Sequence, residues 1–248
     1  MGQLSARSLT GLPEIRAGAD LASLILAAGP PPSAEEIVVV AHKAVSKAEG
    51  RVRELAAIIP GAQARELAER YGKDPRHVQA VLDESAELVR AERGVLIVRT
   101  RHGLVCANAG VDESNAAAGT VILLPADPDR SARALRARLR ELSGQAPAVL
   151  ITDSFGRAWR LGQLDTAIGC AGLGVLDDWR GRHDRRGREL QASVIAVADA
   201  IAATADLARA KDSGEPVVIV SGLGAHIQPD DGPGAAALIR PIDEDLFG

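Results

Sequence analysis

Apolar positions along the chain follow two spacings. Leu21, Leu24, Ile25 and Ala28 recur every three or four residues within PEIRAGADLASLILAAG and stop at Gly29 and the prolines after it, which predicts a short helix. Ile37 to Val40 is continuous and β-branched instead, the composition of a strand buried on both faces. A polar segment follows it, with His42, Lys43, Ser46, Lys47 and Glu49 before Gly50. Helical periodicity resumes over Ala62 to Tyr71 and over Pro75 to Ala91, where Val78, Val81, Leu82, Ser85 and Leu88 share a face. GVLIVRTRHGLVCANAG then reads as two strands joined by a tight turn near Arg101 to Gly103.

The second half continues in the same way. LLPADPDRSARALRARLREL is an Asp/Pro loop entering an Arg-rich amphipathic helix, and Ala148 to Thr152 is a strand that ends on Asp153. Residues 187 to 211 predict a long Ala-rich helical stretch, with Leu190, Val194, Val197, Ile201 and Leu207 on its buried side. EPVVIVSGLG supplies a late strand running into glycines, and IQPDDGPGAAALIRPIDEDLFG is turn-rich and acidic. No repeat of fixed period and no low-complexity linker interrupts the pattern. The expectation is one domain over residues 1–248, its lobes, if two, intimately joined.

Composition narrows the function classes. At 248 residues and 46% hydrophobic content the chain can bury a substantial core without staples. Cys106 and Cys170 form no CxxC and no Cys/His cluster, so they read as two small buried hydrophobes rather than a disulfide or a thiolate zinc site. A formal net charge of -4 and 2% aromatics offer neither a basic footprint nor a stacking platform for nucleic acid. The N-terminus lacks a signal-peptide core and no apolar run is long enough to cross a bilayer, so a cytoplasmic protein with no membrane partner is expected.

Candidate chemistry sits where buried strands deliver small polar or charged residues into Gly-containing turns, at strand ends where α/β proteins commonly assemble sites: Ser46/Lys47, Asp112/Asn115 and Asp153/Ser154. NAGVDESNAAAGTVILLP places Asn108, Asp112, Glu113, Ser114 and Asn115 between apolar runs. It is open to two readings, a long polar turn or a wall that holds an ion or phosphate. Asp112 and Asp153 are hard oxygen donors suited to Mg²⁺ or Mn²⁺, Ser154 adds a hydroxyl, and Lys47 can neutralise phosphate. Taken singly, an Asp after a strand is more often a turn former or helix cap, and a Lys near a turn is more often solvated.

TDSFGRAWRLGQLDTAIGCAGLG is denser. Arg157 and Arg160 bracket Trp159, an arrangement fit either for a planar anion or for a Trp anchor with solvated arginines; Gln163 and Asp165 precede a small-residue run that reads as tight packing. DDWRGRHDRRGREL, with Arg180, Arg182, Arg185, Arg186 and Arg188, reads as a salt-bridged surface turn rather than a polyanion grip, and His183 has no partner His at ligand spacing. The chain has no GxxxxGK[ST] loop, no GxGxxG after a strand and no GxSxG elbow.

Taken together, GLPEI (11–15), AVSKAEGRV (44–52), CANAGVDESN (106–115), ITDSFGRAWRLGQLDTAIGCAGL (151–173) and GRELQASVIAVADAIAATADL (187–207) resemble the coenzyme F420-0:gamma-glutamyl ligase family, in order and over nearly the whole chain. The resemblance implies a family-specific α+β fold of mixed sheets with packed helices, an intertwined homodimer, and a groove near the subunit interface. It implies GTP as cosubstrate, Mg²⁺ or Mn²⁺, and an acyl phosphate of coenzyme F420-0 attacked by L-glutamate. On the matching positions, Leu12, Pro13, Glu14 and Ile15 fall near the nucleotide, Lys47 is the phosphate-binding lysine, and Asn115 contacts the nucleotide. Asp112, Asp153 and Ser154 match metal ligands, with Asp112, Asp153 and Lys47 carrying catalysis.

Two departures bear on this. His42 and Lys43 stand where some relatives have small hydroxyl residues touching the nucleotide, which leaves GTP against ATP open. Ala210, Lys211 and Asp212 occupy the region of a Met-Gly-Glu or Met-Gly-Lys turn. A reductase-like domain fused to some relatives is expected to be absent. The competing readings are a non-catalytic deazaflavin or nucleotide-binding protein and an NTP-dependent amide ligase for another carboxylate.

Overall fold

The computed structural model describes residues 2–245; Met1 and residues 246–248, the end of the turn-rich tail, lie outside it. In chain order the first elements are β1 (Ser5–Ser8), α1 (Leu21–Ala27), β2 (Ile37–Ala41), α2 (His42–Ala48), β3 (Val52–Glu54), α3 (Ala62–Tyr71), α4 (Pro75–Asp83), β4 (Ser85–Glu92), β5 (Val95–Thr100), β6 (Val105–Ala107) and β7 (Thr120–Ile122). There follow α5 (Pro128–Ser143), β8 (Ala148–Arg157), β9 (Arg160–Ala171), β10 (Leu176–Asp178), β11 (Val194–Ala196), α6 (Val197–Ala208) and β12 (Val217–Ser221). Helices and mixed sheets together make an α+β fold.

The main sheet has the order β1-β12-β2-β8-β9, with β2 and β8 parallel and the other pairs antiparallel. Alternation along β2 explains its continuous apolar run. Val38 and Val40 face a layer containing Leu21, Ile25, Leu135 and Leu139 of α1 and α5, while Ile37 and Val39 face Val197, Ile201 and Ala205 of α6. Each buried Val, Leu or Ile among them contributes about 1.5–3 kcal/mol. A third cluster joins Leu67 of α3, Val78 and Val81 of α4, Leu96 and Val98 of β5, Val111 and Leu123. Glycine permits a close contact between layers, since a Cβ at Gly169 of β9 would stand 2.4 Å from the Pro128 carbonyl oxygen at the start of α5.

Four expectations are corrected. The helix expected over Pro75 to Ala91 ends at Asp83, and β4 forms a hairpin with β5 through Arg93 and Gly94, whose φ values are 52° and 77°. A two-residue turn with both φ positive matches strand twist, and its backbone pairing overrides the helical spacing. Residues 187–196 are not helical. Val194 belongs to β11, which pairs with β10, and the helix is only Val197–Ala208, with Leu207 90% exposed. The strand expected to end on Asp153 continues to Arg157 because β9 pairs along it. The polar segment after β2 is α2, a helix of seven residues.

Among the described residues no helix is long and apolar enough to cross a membrane. Residues 179–189 form an exposed loop after β10 in which Arg180 pairs with Asp178, and Arg182 lies over the Trp179 ring. This is the salt-bridged surface turn of the sequence reading. Trp159 is 81% exposed at the β8–β9 turn, which removes the buried-anchor alternative.

Candidate active site

A cleft of about 380 Å³ opens where β2 passes into α2. One wall is the cleft face of α2. Lys43 and Lys47, four residues apart, share that face, while His42 and Ser46 share a buried one. Lys47 Nζ donates to Glu14 Oε1 at 2.6 Å, which ties the helix to the segment carrying Pro13, Glu14 and Ile15. Leu12 does not line the cleft and packs against the core instead.

The opposite wall comes from residues 108–125, which form a polar turn at 112–115 that faces the cleft. Ser114 N donates to Asp112 Oδ1 at 2.7 Å, and Asn115 adopts φ 59°, a left-handed conformation that Asn tolerates better than most residues. The turn thereby presents Asp112, Ser114 and Asn115 to the cleft. Lys43 Nζ donates to Asp112 Oδ2 and to Ser114 Oγ, each at 2.5 Å. Burial raises the Asp112 carboxyl, but bonds from Lys43 and Ser114 outweigh it and hold the group below the ordinary 3.8.

The floor comes from β8, where the ladder to β9 shifts register between Ile151 and Thr152, an irregularity that re-aims the side chains after it. Strand alternation then separates neighbours. Asp153 Oδ1 lies 3.2 Å from His42 Nε2, within ion-pair range but off the hydrogen-bonding direction, so the buried Nε2 makes no hydrogen bond. Thr152 and Ser154 face the other way and donate to Asp165 Oδ2 and Oδ1 at 2.9 and 2.6 Å.

Asp165, 2% exposed in its side chain, also pairs with Arg209, itself 7% exposed, and with Lys211 at 3.2 Å. Burial raises this carboxyl too, yet Ser154, Arg209, Thr152 and Lys211 hold it below 3.8. Sequence reasoning singled out Asp165 only as a neighbour of a packed run and passed over Arg209. The available signal was an Asp leading directly into the small-residue run of β9, opposite Ser154.

Pro13, Glu14, Ile15, His42, Lys43, Lys47, Asp112, Asn115, Asp153 and Ser154 therefore line one cleft. The Ser154 hydroxyl, however, is engaged by Asp165 and Lys211 rather than by Asp112 or Asp153. Among the described residues no three His, Cys, Asp or Glu side chains gather as a metal-binding group. Asp112 and Asp153 nevertheless suit Mg²⁺ or Mn²⁺, which often bind to one or two carboxylates and complete their shell with water and phosphate. A second cleft of about 660 Å³ adjoins, sharing Glu14, Ile15, Lys47 and Asn115 with the first.

Residues 11–222 match the family model described as F420-0:Gamma-glutamyl ligase. Over 100% of both chains the sequence is 46% identical to a protein of Methanopyrus kandleri called coenzyme F420:L-glutamate ligase. It is 42% identical to a protein of the same name from Methanothermobacter thermautotrophicus, over 98% of each chain. A third of that name, from Methanocaldococcus jannaschii, is 43% identical over 86% of this chain and 84% of its own.

Proposed function

The chain belongs to the F420-0:gamma-glutamyl ligase family and is a glutamate ligase of coenzyme F420 biosynthesis, and we propose that it joins L-glutamate to coenzyme F420-0 at the expense of GTP. The observation that carries the finer reading is one cleft lined by Lys43, Lys47, Asp112 and Asp153. A reaction that brings a triphosphate to a carboxylate needs cations and metal-binding oxygens in one place, because its catalysis is mostly positioning and charge neutralisation.

On this reading Lys47 and Lys43 hold the triphosphate, with Asn115 beside them. A carboxylate oxygen of F420-0 forms a bond to the terminal phosphorus as the bond to the GDP oxygen breaks. The glutamate amine then attacks the acyl carbon, phosphate leaves, and the amine loses a proton to give the amide. Asp112 and Asp153 would hold Mg²⁺ or Mn²⁺, which supplies Lewis-acid neutralisation of phosphate charge when bound. His42 packs against Asp153 and limits how that carboxylate turns. Both the cluster around the main sheet and the turn at 112–115 wall the cleft, which supports a single ligase domain. A homodimer is part of the proposal, supported by Trp159 and Leu161, 81% and 95% exposed on the β8–β9 hairpin; light scattering tests it.

The deciding experiment is mass analysis of F420-0 incubated with purified protein, L-glutamate, GTP and Mn²⁺, with each component omitted in turn and ATP tried in place of GTP. Glutamate-sized increments that require nucleotide and metal are expected, and their number reports tail length. F420-0 that binds without any increment would move the assignment to a binding protein or to a ligase for another carboxylate.

A further inference from the structure

Lys211 stands in a turn after α6, and its ammonium is surrounded by three oxygens. Nζ donates to Ser154 Oγ at 2.6 Å and to Asp165 Oδ1 at 3.2 Å, and lies 2.7 Å from Asp206 Oδ1. Two carboxylates and a hydroxyl converging on one point are the oxygen set a divalent cation takes. Here a covalently attached ammonium fills it. Asp206 Oδ1 is buried, and the Lys211 ammonium is the cation that answers it. Two cations, Lys211 and Arg209, balance two anions, Asp165 and Asp206; without Lys211 the nest carries an uncompensated negative charge. The Lys211 side chain is 63% exposed and lines the same cleft as Asp153 and Ser154.

We propose that Lys211 is a built-in cation of the catalytic cleft: its ammonium takes the place of a divalent ion in the Ser154–Asp165–Asp206 nest. The cleft then works with one exchangeable divalent ion, at Asp112 and Asp153, and one tethered positive charge. This rests on the ligase reading for its catalytic part, while the occupancy of the nest does not. Ser154 is accordingly a holder of Lys211 and not a ligand of the exchangeable ion.

The test counts bound Mn²⁺ by electron paramagnetic resonance on the full chain, in wild type, Lys211→Met and Lys211→Arg, with thermal unfolding confirming that each variant is folded. Lys211→Met should gain one Mn²⁺ site over wild type and over Lys211→Arg, and adding Asp206→Asn should remove the gained site. If Lys211→Met does not fold, Lys211→Gln takes its place. An unchanged Mn²⁺ count in the folded variant, or a gained site indifferent to Asp206→Asn, overturns the proposal. In the glutamylation assay Lys211→Met should lose about 10- to 100-fold in kcat at low Mn²⁺ and recover part of it at high Mn²⁺, and a wild-type kcat throughout would overturn the catalytic role. A wild type that makes no glutamyl product defeats the ligase reading, while the Mn²⁺ count still decides the nest.

Discussion

Replacing Asp165 by Asn removes the negative partner of a buried cation. Asp165 and Arg209 expose 2% and 7% of their side chains, so the guanidinium left behind has little water to turn to. Breaking a buried pair from one side costs about 3–5 kcal/mol. Asn still accepts from the Thr152 or Ser154 hydroxyl, which puts the expected loss near ~3 kcal/mol, or ~6–12 °C in Tm for a chain of this size. Adding Arg209→Met should restore part of it, because no unpaired charge then remains. The pH dependence has a definite sign. The folded carboxyl is held below its ordinary 3.8, so its contribution is present above that value and fades as pH falls through the folded value. Thermal unfolding by circular dichroism at pH 7, and acid titration below about pH 4, read both effects. A single variant within ~2 °C of wild type, or a double variant no more stable than the single one, would refute the reasoning.

Lys47→Ala should weaken triphosphate binding ~10-fold or more, read by calorimetry, and unchanged affinity would remove Lys47 from the phosphate site. Asp153→Asn should keep the wild-type Tm and lose metal-dependent glutamylation; a wild-type rate would end its role. Gly169→Ala should cost about 1–3 kcal/mol in urea unfolding, since its Cβ would meet the Pro128 backbone at 2.4 Å. Burial pushes the Cys106 and Cys170 thiols up to about 12, so a thiol reagent at pH 8 should label neither until the protein is denatured, and rapid native labelling would contradict that burial.

Elements whose spacing is strong and whose ends are marked were legible in the chain. Ile37 to Val40 announced a doubly covered strand, Ala62 to Tyr71 kept its helical bounds, and Gly103 closed the turn between β5 and β6. Failures came where a long-range pairing decided the outcome. Arg93 in a left-handed conformation gives no local sign of a hairpin, and β9 is a strand because β8 lies beside it. Helix α2 has Ala41 at its N-cap and no side-chain cap, so the start signal was missing. Asp112, Asp153 and Lys47 were individually ordinary; their shared place after buried strands grouped them, and only the resemblance gave the group a reaction. Arg209 had no motif to mark it, because its importance lies in a carboxylate 44 residues away.

Charge in the cleft divides into two classes by solvent access, and this bears on how a ligand would enter. The Lys47–Glu14 and Lys43–Asp112 pairs join lysines 18% and 21% exposed to carboxylates 69% and 43% exposed. Pairs so open to water contribute about 0–1 kcal/mol, and exchange of either partner for phosphate or metal costs little. Asp165 and Arg209 are sealed, and separating them is expensive. On the proposed reading α2 and the 112–115 turn together are therefore the exchangeable side, where a phosphate takes the lysines as a metal takes Asp112, each removing a competitor for the other. The Asp165 side stays fixed and holds Thr152, Ser154 and Lys211 in register. Nucleotide and metal should accordingly bind as a coupled pair between α2 and the 112–115 turn, while the Asp165 side keeps its charge whether or not either is present.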